Sequence, residues 1–186
     1  MASVSELAPG LLIAMPQLAD PNFRRSVVLM TEHHPEGSFG LAINRPAQHR
    51  VAEVLASLDV TWGGAADASV WVGGPVQQET GWILHEPVAG LQEPGTREIA
   101  PGIQLSSAPE ALAVLAVSPP SRMRFILGYS GWGPGQLENE LTQGSWVTSD
   151  LTPELVFDTH FEELWETAVR RLGIAPEALA PASGVH

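Results

Sequence analysis

The 186-residue chain predicts an α/β fold of the α+β type, a mixed β-sheet covered by helices. Two observations point there. Short β-branched or apolar runs outnumber helical patterns. Some neighbouring runs are joined by tight turns, as hairpins are, and others by helix-length segments, as crossovers are. No internal repeat, long linker or low-complexity block breaks the series. Residues 1–180 are therefore expected to form one domain, with residues 181–186 as a disordered tail.

Leu11 to Met15 reads as a first strand. Leu18 to Phe23 reads as a turn, because Asp20-Pro21-Asn22 has strong turn chemistry. Arg25 to Glu32 is β-branched and apolar, a central strand, and Phe39 to Asn44 pairs back onto it across a turn at Pro35 to Ser38. Val51, Val54, Leu55 and Leu58 are spaced for one helix face. Ser69 to Val72 and Trp82 to His85 are strands flanking Gly73-Gly74-Pro75. Pro87 to Gly95 is a loop, and Thr96 to Ile99 and Ile103 to Leu105 are short exposed strands. Ser107 and Glu110 form a capping box for a helix to Val117, and Thr159 and Glu162 form another. The helix after Thr159 carries Phe161, Leu164, Trp165, Ala168, Val169 and Leu172 as one apolar stripe. Glu166 and Arg170 form an i, i+4 pair in the favoured order, and Gly173 ends the helix.

Composition bounds the function. The chain has no cysteine, which excludes a disulfide framework, a thiolate nucleophile and cysteine-ligated metal. Nine arginines and no lysine stand against 21 acids, for a formal charge of −12. Such a surface repels phosphate backbones, so direct nucleic-acid binding is disfavoured. The first residues, MASVSELAPGLLIAMP, lack the basic start of a signal peptide. No apolar run approaches the ~20 residues a membrane helix needs. A soluble cytoplasmic protein without membrane contact is expected.

The densest chemistry lies in Arg122 to Trp146. Phe125 to Tyr129 reads as a buried strand, after which Gly131, Gly133 and Gly135 permit a tight turn and close approach. Pro134 suits a first helical turn, Leu137 and Leu141 are spaced i, i+4, and Gly144 is a helix stop. Strand, glycine turn and helix N-terminus together suit a small anion or other small ligand; the alternative is a packing corner with Trp132 in the core. The Lys-Ser/Thr ending of a Walker loop is missing, the glycine spacing is not that of a dinucleotide fingerprint, and Glu138 and Glu140 oppose phosphate. No cofactor is called for.

The motif GYSGWGPGQLENEL resembles the best-marked motif of the AlgH/YqgE family of bacterial proteins. GLLIAMPQLADPNFRRSVV (Gly10 to Val28), HHPEGSFGLAINRP (His33 to Pro46), GGPVQQETGWILH (Gly73 to His85) and WETAVRRLGI (Trp165 to Ile174) are similar to its other blocks, in order. The resemblance covers about residues 7 to 174. It implies a mixed, curved, partly barrel-like β-sheet surrounded by helices. It brings no agreed enzyme activity; the family name refers partly to alginate regulation. Ser130 stands where the family often has alanine.

Several residues are candidates for a site. Asn44 and Gln136 would hydrogen-bond a ligand. Arg45, held extended by Pro46, would pair an acid, either a ligand's or one of this chain's own, such as Asp20 or Glu138. Gly73, Gly74 and Pro75 would form a wall or merely a loop turn. Gly131 and Gly135 shape the glycine turn, and Trp132 would give an aromatic wall, partly exposed like Trp82. Asp20, Asn44, Gly74 and Trp132 are expected to line one concavity. Ser130 in GYSGWG, followed by Asp158 and His160, has the order of a hydrolase triad, but Trp132 replaces the second glycine of the nucleophile elbow. Asp158 and His160 sit where they would open a helix. His33, His34, His85 and His160 lack the spacing of helix metal ligands, so no metal is expected. The reading is a non-enzymatic binding or regulatory module for an unknown small ligand or protein partner, affecting transcription, if at all, through that partner. The rivals are a hydrolase using Ser130 or a carboxylate such as Asp20, and a direct transcriptional regulator.

Overall fold

The computed structural model describes residues 7–18 and 20–179; the expected tail at residues 181–186 lies outside them. Ten strands form one mixed sheet in the order β10-β1-β2-β3-β9-β6-β8-β7, with β4 and β5 attached at its side. They are β1 (Gly10–Ala14), β2 (Val27–His34), β3 (Gly37–Ala42), β4 (Pro46–Arg50), β5 (Ser69–Val72), β6 (Val76–His85), β7 (Thr96–Ala100), β8 (Ile103–Ser106), β9 (Met123–Trp132) and β10 (Trp146–Ser149). The α-helices are α1 (Val51–Ala56), α2 (Pro109–Val117), α3 (Gln136–Thr142) and α4 (Phe161–Arg171). The β5–β9 pair is parallel and the other paired strands are antiparallel.

The sheet curls into a half-barrel. Register shifts interrupt β2–β3 after Met30 and β6–β9 after Val76, and such irregularities bend a strand and increase its twist. The curl is visible in the packing. Leu11 and Ile13 of β1 share one apolar cluster with Ala100 of β7 and with Ile103 and Leu105 of β8, although these strands lie towards opposite ends of the sheet order. Leu164, Trp165, Ala168 and Val169 of α4 fill that cluster, as the helix stripe predicts. A second cluster joins Val28, Met30, Trp132, Leu137 and Trp146, and a third packs α1 and α2 against β5, β6 and β9.

Several elements depart from the sequence reading. β9 continues past Tyr129 to Trp132 because β3 pairs with Ser130, Gly131 and Trp132; the turn is confined to Gly133–Gly135. β6 starts at Val76. β7 and β8 are not exposed: Thr96, Ile103, Leu105 and Ser106 are buried. β10, which the sequence reading missed, zips onto the free edge of β1. α1 ends at Ala56, leaving Leu58 exposed. Neither capping box forms. α2 starts with Pro109 after an Ala108 N-cap without a side-chain bond, and α4 is capped by His160, whose Nδ1 accepts from the Glu162 N–H at 3.3 Å.

His85 is fully buried in a polar chain. Its Nδ1 lies 2.7 Å from the Glu86 carbonyl and its Nε2 2.7 Å from Ser106 Oγ, which lies 2.6 Å from Thr96 Oγ1. A carbonyl only accepts, so Nδ1 carries the proton and Nε2 accepts from Ser106. Both ring nitrogens are thereby occupied. Burial pushes the imidazole pKa down. Above about pH 6.5 folded and unfolded chains both hold a neutral ring; below it the unfolded chain takes up a proton the folded one resists. Stability should therefore fall as pH drops below that point, by up to about 1.4 kcal/mol per unit from this group. Urea midpoints of wild type and His85→Gln between pH 7.5 and 5.5 check this; equal pH slopes in the two proteins would count against it.

Candidate functional site

The described residues 16–18 and 20–25 lie between the end of β1 and the start of β2. Asp20 Oδ1 accepts the Asn22 N–H at 2.9 Å, the side-chain turn that Asp-Pro-Asn favours. Arg25 takes a left-handed conformation at φ +54°. Asn44, just after β3, fixes it: Oδ1 accepts from Val27 N–H at 3.0 Å and Nδ2 donates to the Arg25 carbonyl at 2.9 Å. Among the described residues Arg45 forms no ion pair. Its guanidinium donates to the carbonyls of Pro21, Asn22 and Arg24. Burial lowers its pKa, with the nearby Asp20 charge opposing the shift. An arginine fork matches several carbonyls as well as one carboxylate, and here it clamps the loop to the sheet.

Beside this clamp run two adjoining hollows of about 600 and 360 Å³. Ala14, Met15, Leu18 and Trp165 contribute apolar lining to the larger; Asn44, Arg45, Pro46 and Phe161 line the smaller; Arg24, Arg25, Trp165 and Glu166 belong to both. Arg25 lies 4.5 Å over the Trp165 ring and 3.3 Å from Glu166. Arg24 is exposed and forms no ion pair among the described residues.

The other expected site residues lie elsewhere. Gly73 is buried at a strand crossing, its carbonyl accepting from Ala42 N–H at 2.8 Å and Ser130 Oγ at 2.9 Å. Gly74 presses on the Tyr129–Ser130 backbone, and Pro75 is exposed. Trp132 is no open wall: it is 5% exposed, packed against Phe23 and Trp146. Trp82 is half-buried against Phe39 and Tyr129. Gly131 is exposed in β9, opposite Phe39. Gly135, at φ +74°, precedes α3, and Gln136 Oε1 accepts from Gly133 N–H at 3.0 Å, closing the glycine turn on itself. The single concavity thus divides. Asn44 and Arg45 line the hollows, Asp20 shapes the adjacent loop, Gly74 is a packing contact and Trp132 belongs to the second core. Ser130 is fully buried, Asp158 is held by Arg122, and His160 caps α4, so these three are engaged separately. The sequence reading missed Arg24, Arg25, Phe161 and Trp165 as lining; the signal was the double arginine directly after the Asp-Pro-Asn turn.

The chain belongs to the AlgH-like family, whose model matches residues 11–177. It is 45% identical over 185 residues to a UPF0301 protein of Anaeromyxobacter dehalogenans, covering 96% of this chain and 94% of that one. It is 42% identical over 184 residues to a UPF0301 protein of Myxococcus xanthus, covering 98% and 100%. The solution structure of the AlgH protein from Pseudomonas aeruginosa superposes with a TM-score of 0.79 at 36% identity, over 100% of this chain and 99% of that one. A crystal structure from Corynebacterium diphtheriae, at 23% identity and a TM-score of 0.72 over 92% and 90%, shares the fold. Among the described residues no helix is long and apolar enough to cross a membrane.

Proposed function

We propose that the protein is a cytoplasmic module whose cleft between the Asp20–Arg25 segment and α4 is a binding site and not a catalytic one, taking a small ligand, or a segment of a partner protein, that bears a carboxylate beside an apolar group. The observation that carries this is the placement of Arg24, which has no ion-pair partner among the described residues, where an apolar-lined hollow meets a polar one, in a chain of charge −12. Arginine suits planar carboxylates, and Leu18, with the exposed edges of Met15 and Trp165, lines the larger hollow for the apolar part. A hydrolase built on Ser130 or Asp20 loses support: the Ser130 hydroxyl is enclosed and bonded to Gly73, and Asp20 is engaged in its own turn. An effect on transcription, of the kind the family name suggests, would pass through a protein partner. Duplex DNA should bind more weakly than micromolar at ~150 mM salt, because so few cations are available to release counterions; tight retardation in a gel shift would overturn that.

The cleft is tested by titrating benzoate into labelled protein and following amide shifts. Met15, Arg24, Arg25 and the Trp165 indole N–H should move together, and Arg24→Gln should weaken binding at least fivefold. Shifts scattered over the surface, or none at Trp165, would reject the cleft.

A further inference from the structure

A different constellation lies where the β2–β3 hairpin meets α3. His33 stands opposite Ser38 in the hairpin register, after the shift that follows Met30. His33 Nδ1 is 2.5 Å from Ser38 Oγ. On the other side of the ring, Nε2 is 2.8 Å from Oε1 of Glu138, in the first turn of α3. The His33 side chain is 1% exposed and that of Glu138 38%. The three residues come from HHPEGSFGLAINRP and GYSGWGPGQLENEL, two of the blocks that mark this sequence.

We propose that Ser38, His33 and Glu138 form a nucleophile–base–carboxylate relay that takes an acyl group from a small activated ester. The proton inventory is consistent with it. In the relay Ser38 donates to Nδ1, the tautomer that puts the ring proton on Nε2, the nitrogen beside the Glu138 carboxylate. The Nε2 contact lies off the line of a good hydrogen bond, so at rest it is mainly electrostatic, and it strengthens when the ring becomes imidazolium. In the reaction Ser38 Oγ forms a bond to the ester carbonyl carbon as its proton passes to Nδ1. The bond to the leaving alkoxide then breaks, and the alkoxide takes that proton away as an alcohol. Water, activated by the same ring, hydrolyses the acyl-serine to a carboxylic acid and restores the hydroxyl. Glu138 holds the ring and stabilises its positive charge; it is a positioning residue.

The backbone supports the placement. A Cβ on Gly37 would lie 2.7 Å from the Trp132 carbonyl, so the end of β9 sits hard against the hairpin and sets Ser38 opposite Trp132. Ser38 is half-buried, and the neighbouring Gly133-Pro134-Gly135 turn is exposed. None of the three relay residues lines the arginine cleft, so neither site's test decides the other's.

A linkage that merely pins the hairpin to α3 would not activate the serine, and two measurements separate the cases. A fluorophosphonate probe should label the wild-type protein and the Ser130→Ala variant but not Ser38→Ala. Because the chain has no cysteine, the Ser38→Cys variant carries a single thiol, whose alkylation by iodoacetamide can be followed against pH. That thiol should titrate at least one pH unit below the ordinary value of about 8.5, and adding Glu138→Gln should move it back up. Labelling absent from the wild type, labelling undiminished in Ser38→Ala, or a thiol with an ordinary titration would each overturn the relay.

Discussion

Gly74→Ala is expected to cost more than about 4 kcal/mol, or to prevent folding altogether, a loss that only a few mechanisms reach. A Cβ at this position would lie 2.1 Å from the Tyr129 carbonyl oxygen and 2.5 Å from the Ser130 nitrogen. Both are backbone atoms of β9, which is paired to β3, β5 and β6 and has no free direction in which to move. The neighbouring Gly73 is as confined, since a Cβ there would lie 2.4 Å from the Gly128 carbonyl oxygen, so the linker between β5 and β6 cannot shift to relieve the clash. Urea unfolding followed by tryptophan fluorescence measures the effect. A midpoint within error of wild type would show that this crossing is looser than its contacts imply.

Trp165→Ala is expected to cost about 3–5 kcal/mol, the range for emptying a large aromatic site. The ring is 6% exposed, belongs to the main cluster and donates its indole N–H to the Ala14 carbonyl at 2.8 Å. Arg25 covers its other side. The lost volume, the unpaired carbonyl and the uncovered arginine act together. Trp165→Phe, which keeps most of the volume, should recover more than half of the loss. Equal midpoints for Trp165→Ala and wild type would place α4 outside the cooperative core.

The sequence made some of this legible and hid the rest. The α4 stripe was readable because six apolar residues at helical spacing with a charged opposite face admit one arrangement. The hairpin of β2 and β3 was readable because its turn and its β-branched arms are adjacent in the chain. β10 was not: Trp146-Val147-Thr148-Ser149 is short, and its pairing with Leu11 to Ala14 depends on a partner far away in sequence. The length of β9 was misjudged for the same reason, since Gly131 looks like a turn residue until β3 is set beside it. At the site, Asn44 and Arg45 were identified by their position at a strand end, but what they hold could not be read. Their partners are backbone carbonyls and an amide, which every residue carries and no motif advertises. Trp132 was misplaced because a tryptophan beside glycines suits a rim and a core equally well, and only Phe23, from another segment, decides it.

The sealing of β1 sets an order of events at the ribosome. One edge of β1 is met early by β2, but the other waits for β10, and the Ala14 carbonyl waits for a tryptophan 151 residues further on. Until the last quarter of the chain has emerged, a strand that is buried along its whole length in the finished protein presents bare amides and apolar side chains to the cell. Nascent chains of this topology mature late and expose an aggregation-prone strand edge in the meantime. A stop codon before α4 would release a product that goes to degradation rather than a smaller working domain.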